Sequence, residues 1–284
     1  MLCVVKVFEV SLYSRLWIFE MEERSFQVPD TVKSKAYDDA AHPFMGWLGK
    51  TGGAFGHALY AAIGLPVEKW AQRKEEQLKK LSEQMEARIS SIPEDRRVEP
   101  SFGTVQSIFE GLDSCLDEEI LQAGFVNLLE SAMDSRTASG LLKCHANTLK
   151  QLCPDEARVL QVLHVKRNQP FIDVRSHDKG GKGWMVELRY VTDIDDWTKC
   201  EAPDNIPSYL VHLETLGLLR IDEMNYVAND EVYGALEKRV SGLKKEIEDS
   251  GKRFEIGKGV VYITPLGEDF AKSCGLQKFN HATP

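Results

Sequence analysis

Val67, Trp70, Leu78, Leu81, Met85 and Ile89 recur at helical spacing among dense charge, which predicts an amphipathic helix over 67–92. PEDRRVEPS, residues 93–101, has a proline at each side of a charged run and reads as a loop. SFGTVQSIFEGL then predicts a helix of moderate strength. LDEEILQAGFVNLLESAMD predicts a strong one, with Asp117 as N-cap and the stripe Ile120, Leu121, Phe125, Leu128, Leu129 and Met133. SGLLKCHANTLKQL predicts one further helix. With VKSKAYDDAAHPF upstream, four or five helices on short connections and no strand signal imply a small bundle.

The pattern changes after Leu152. CPDEARVLQVLHV starts a helix on Pro154 and two acids. FIDVRSHDKGGKGWMVELRYV predicts two strands around a Gly-rich turn, and DNIPSYLVHLETLGLLRI a helix closed by Gly217 and followed by an apolar strand. DEVYGALEKRVSGLKKEIEDSG reads as one charged helix, an insertion, and RFEIGKGVVYITPLGEDFAKSCG as strand, strand and short helix. The expected fold class is therefore α+β, an N-terminal α-helical domain followed by a winged-helix-like α/β domain. The expected divisions are a 1–29 extension, a 30–152 helical domain and a 153–284 winged-helix-like domain. Residues 1–20 lack both the cleavage site of a signal peptide and an uninterrupted apolar run, and Met21 offers a more conventional start.

Residues 46–64, GWLGKTGGAFGHALYAAIG, break the ordinary pattern. Gly49-Lys50-Thr51 resembles the tail of a phosphate-binding loop, but Phe44 stands where that motif needs its first glycine, and no strand leads in. Placed on a helix at ~100° per residue, Gly46, Gly49, Gly52, Gly53, Gly56 and Gly64 all fall within an arc of about 120°. Five interior glycines cost a helix about 4–5 kcal/mol relative to alanine, so close packing has to compensate. Seventeen residues from Thr51 to Val67 carry no formal charge, at the lower edge of the ~17–25 that span a bilayer. Two surfaces fit such a helix: tight protein packing, or lipid.

Charge narrows the function classes. The chain of 284 residues has a net charge of −9, and residues 150–284 hold 19 basic against 22 acidic groups. Nucleic-acid binding rests on clustered cations, so this balance argues against it. The helix expected to play recognition helix offers only Ser208, His212, Glu214 and Thr215, a set better suited to protein contact than to base edges. The turn 176–184 is read as a solvated hairpin tip, and Asp193, Asp195 and Asp196 as a surface loop. Six cysteines without a Cys-x-x-Cys pair suggest reduced thiols, and the adjacent Cys144 and His145 fit no zinc pattern. No catalytic, cofactor or metal constellation can be assembled, and the expectation is a non-enzymatic protein.

LYAAIGLPVEKWAQRKEEQLKKLSEQMEARISSIPEDRRVEPS, FVNLLESAMDSRTA and LKQLCPDEARVLQVL together resemble the Abi-alpha (abortive infection alpha) family of bacterial proteins. FVNLLESAMD is the most specific string; the resemblance runs over about 30–165, with LGLLRI and YITPLGEDFAKSC extending it. It implies a role in phage defence by arrest or death of the infected cell, and brings no catalytic residues. The expected protein is cytoplasmic, with a protein partner or self-association, and with the inner membrane as the site of action if the glycine-striped helix meets lipid. The alternative is a regulatory or protein-interaction module, with a DNA-binding regulator ranked below it.

Overall fold

A computed structural model describes residues 75–276, Lys182 excepted. The six glycines of 46–64, the 1–29 extension and the first expected helix lie outside the described residues. Five helices come first: α1 (Glu75–Ser90), α2 (Phe102–Ser114), α3 (Glu119–Met133), the single turn α4 (Ser135–Ala138) and α5 (Cys144–Leu149). Of the expected α1 stripe, Leu81, Met85 and Ile89 are buried, and Val67 and Trp70 lie outside the described residues. Ser101 caps α2 by accepting the Thr104 N–H. Helix α3 begins one residue later than expected, with Glu118 rather than Asp117 at the cap position. The segment expected as one helix over 139–152 is only α5, flanked by turns. Leu149, fully buried there, packs so tightly that a Cβ on Gly124 would stand 2.9 Å from its methyl.

Helix α6 (Pro154–Lys166) leads into the α/β part: β1 (Gln169–His177), β2 (Met185–Val191), α7 (Ile194–Trp197), α8 (Ile206–Thr215), β3 (Leu219–Asp222), α9 (Asp230–Arg239), α10 (Ser241–Asp249), β4 (Arg253–Ile263) and α11 (Pro265–Ser273). The four strands form one antiparallel sheet in the order β2-β1-β4-β3. The fold is α+β, as expected. Two elements differ from their sequence reading. The charged insertion is a pair of helices, broken at Val240, where the backbone leaves the helical region (φ −99, ψ 12). The final "strand, strand" is one eleven-residue strand. Its Gly257 and Gly259 are not turn residues: the Arg175 guanidinium and the Phe171 ring occupy the space their side chains would fill.

The larger hydrophobic core among the described residues runs from Leu81 on α1 through α2, α3, α6 and α8 to Leu276. A smaller one lies across the sheet, where Ile172 and Val174 of β1 meet Tyr233, Leu236, Val240 and Ile247 of α9 and α10. The helix pair inserted between β3 and β4 therefore covers a sheet face that would otherwise be exposed. Tyr233 anchors it, its hydroxyl donating to the Gly259 carbonyl (3.0 Å) and accepting the Val227 N–H (2.8 Å). On the opposite edge, two register shifts in β2 put Met185, Leu188 and Val191 at three-residue steps opposite Ser176, Val174 and Ile172. The irregularity includes Tyr190 at φ 51, and its N–H is received by the buried Asp173 carboxylate at 3.0 Å.

The most specific string of the sequence has a structural reading residue by residue. The ring of Phe125 lies against Gly111, where a Cβ would come within 2.2 Å. Asn127 donates to the Cys274 carbonyl (3.2 Å) and Ser131 to the Ser273 carbonyl (3.2 Å), so α3 caps the end of α11. Leu128, Leu129 and Met133 are buried. Asp134 caps α4 through the Arg136 N–H (3.0 Å) and pairs with Arg96, whose hydrogen bond holds its carboxyl below the usual range.

Candidate functional site at the seam of α6 and α8

The first turn of α6 carries two adjacent buried carboxylates, Asp155 and Glu156. Glu156 Oε2 accepts the Cys153 N–H at 2.8 Å, closing a capping box in which the Cys153 side chain receives the N–H of the N3 position. Glu156 Oε1 lies 2.6 Å from His212 Nδ1 on α8. This short contact fixes the orientation of the His212 ring from α6. Asp155 faces the other way. Its two oxygens accept the N–H groups of Glu201 and Ala202, each at 3.0 Å, and the Tyr209 hydroxyl at 3.3 Å, while Arg158 pairs with it. Burial pushes the Asp155 carboxyl up, but the Ala202 and Glu201 amides and Arg158 outweigh it and hold the group below its ordinary range.

Beside this turn a cleft of about 450 Å³ opens between the helices of the first part and the α6–α8 seam. Leu121, Phe125, Leu149 and Leu152 give it an apolar floor. Glu118, Lys150, Gln151 and His212 line it with polar groups, and Cys115 and Cys153 contribute thiols. Burial pushes the Cys115 thiol up to about 12 and also raises Cys153, so both are neutral near pH 7.

The four α8 residues singled out from sequence do not share one role. His212 is bound to Glu156, and Glu214 accepts the Ile221 N–H of β3 at 2.9 Å. Thr215 bonds back to the Val211 carbonyl (2.9 Å), and only Ser208, Val211 and Thr215 present an exposed stripe. Val211 is 46% exposed, an apolar residue that the sequence reading had not picked out. The cleft and the Glu156–His212 pair were also missed. Their signal was present, because a Cys-x-x-Glu box opens α6, but its second partner lies 56 residues away.

Other candidates resolve into structural contacts. Asp195 and Asp196 both pair with Arg239 of α9. At the hairpin tip, Trp184 lies under the Arg175 guanidinium at 4.5 Å. Cys144 is exposed while its neighbour His145 is buried edge-on against Phe270, 5.7 Å between ring centroids, with a basicity lowered by burial. Among the described residues no cluster of three or more His, Cys, Asp or Glu side chains is arranged to hold a metal ion. No described helix is long and apolar enough to cross a membrane.

An α-helical bundle and a four-stranded antiparallel sheet share one core here, with a bundle helix capping the last helix of the α/β part. The family profile described as Abortive infection alpha matches residues 73–274, and the chain belongs to that family. A solved structure of an uncharacterized protein from the hydrocarbon-degrading marine bacterium Alcanivorax borkumensis SK2 is 20% identical, with a TM-score of 0.30. The likeness covers 46% of this chain and 92% of that one. No curated protein matches the chain.

Proposed function

We propose that this protein is a non-enzymatic antiviral protein that acts in abortive infection, arresting or killing an infected bacterium. Membership of the Abortive infection alpha family over residues 73–274 carries the reading. The effector element in this reading is the segment 46–64, whose uncharged run and glycine periodicity suit an apolar surface made for close contact with lipid. Phage challenge of cells expressing the full chain, alongside cells expressing a chain lacking 46–64, tests it. The expected result is fewer plaques and loss of membrane potential with the full chain only. Full protection by the shortened chain, or protection without depolarisation, would sink the membrane step.

A second reading, a protein-interaction module, is favoured by the exposed stripe Ser208, Val211 and Thr215. It offers hydroxyls and an apolar side chain but no cation for phosphate contact. Electrophoretic shift with the promoter DNA of its own gene separates this from a regulator. No shift at moderate salt is expected, and a shift abolished by Val211→Glu would replace the protein-contact reading.

A further inference from the structure

Four histidines fall among the described residues, and three of them stand against a carboxylate. His164 Nδ1 lies 3.3 Å from Glu268, His177 Nε2 3.0 Å from Glu255 and His212 Nδ1 2.6 Å from Glu156. A proton added to any of these rings gains an ion-pair partner. His145 differs. It is 1% exposed, and neither ring nitrogen has a hydrogen-bond partner among the described residues. Its ring meets the fully buried Phe270 edge-on instead, with 5.7 Å between centroids.

That contact joins the two parts of the molecule. His145 belongs to α5 of the bundle and Phe270 to α11, the helix that α3 clasps through Asn127 and Ser131. In the neutral ring one nitrogen donates and the other accepts; the imidazolium makes both into donors and adds a charge. A buried charge without a counter-ion is far more costly than a buried neutral ring. Burial lowers the basicity of His145, and Asp269 of α11, the described charged group whose field reaches the ring, offsets this only in part. Other acids on the surrounding helices are engaged elsewhere. Glu110 of α2 pairs with Lys150, Glu130 of α3 with Arg88, and Glu268 of α11 with His164 and Arg167.

We propose that His145 is an acid-sensitive latch, whose protonation drives α5 away from Phe270 and loosens the contact between the bundle and α11. The proposal goes beyond the antiviral reading and does not depend on it. Its sign follows from linkage. The ring binds a proton better when the contact is open than when it is closed. The closed contact is therefore fully stable above the ordinary histidine value of about 6.5 and weakens as pH falls below it. At pH 5.5 an opened ring is about ten parts charged to one neutral, so the opened population rises up to about tenfold.

Hydrogen exchange of the full chain at pH 7.5 and 5.5, corrected for the intrinsic rate at each pH, provides the test. Opening should rise up to about tenfold over 142–150 and 265–274, with β1 and β4 little changed. His145→Phe keeps an aromatic ring against Phe270 without a titrating nitrogen and should abolish the rise. His164→Gln, which alters the neighbouring Glu268 pair, should leave the rise in place. Circular dichroism melts at pH 7.5 confirm the fold of each variant, and the location of the rise in the unaltered chain needs no variant. No rise at pH 5.5, a rise spread evenly over the chain, or a rise that persists in His145→Phe would each overturn the assignment.

Discussion

Asp155 shows how a single side chain can hold a junction together. It is almost fully buried yet ionised, because two loop amides, a tyrosine hydroxyl and Arg158 converge on it. Asp155→Asn should lower stability at neutral pH by about 2 kcal/mol, read from urea unfolding, since amide and hydroxyl donors lose a charged acceptor. The pH dependence follows from the depressed folded-state pKa. The stabilisation is fully present above the unfolded carboxylate value of about 3.9 and is lost as pH falls through the lower folded value. The gap between native protein and variant should therefore close in acid; a gap that persists there would mean that the charge is not its source. In sequence, Asp155 and Glu156 read only as acids suited to a helix start. Their positions were legible, but their partners at 201, 202, 209 and 212 were not, because only the folded chain brings α8 and its preceding loop to α6.

At the level of elements, periodicity served best where one helix face meets one core. The stripes of α1 and α3 were legible for that reason. It failed where backbone contact decides. The segment read as two strands is the single strand β4, and within it neighbouring side chains take the place of side chains at Gly257 and Gly259. Gly267 is a stronger case. In the first turn of α11 a Cβ would stand 1.9 Å from the Leu218 carbonyl oxygen, the same oxygen that accepts the Thr264 N–H at 3.0 Å. Gly267→Ala should therefore cost about 3 kcal/mol or more, although alanine is the better helix former. Thermal unfolding of the variant checks this; an unchanged or raised midpoint would show that α11 can move away from β3. The helix pair α9–α10 was legible as an insertion. Its break at Val240 was not, because that break lets both Leu236 and Ile247 reach the sheet.

For the whole molecule, the α+β class and the division of labour between helices and sheet could be read from the change of pattern after Leu152. Continuity of the core across that change could not, since it depends on long-range packing of α3 against α6 and α11. The clasp from α3 to α11 extends this continuity. Asn127→Ala removes the bond to the Cys274 carbonyl, and hydrogen exchange along α11 should speed up several-fold, with exchange in α2 little changed. Uniform acceleration everywhere would mean that the clasp contributes only to global stability.

The same clasp has a mechanical consequence. The α/β part leaves the bundle through α6 and returns to it through α11, so it is fastened at both of its ends. Such a unit has no single linker on which to swing. A message arriving at one part must travel as tension through two anchors. A partner that loosened either anchor would be felt at both, more like slackening a strap than opening a door.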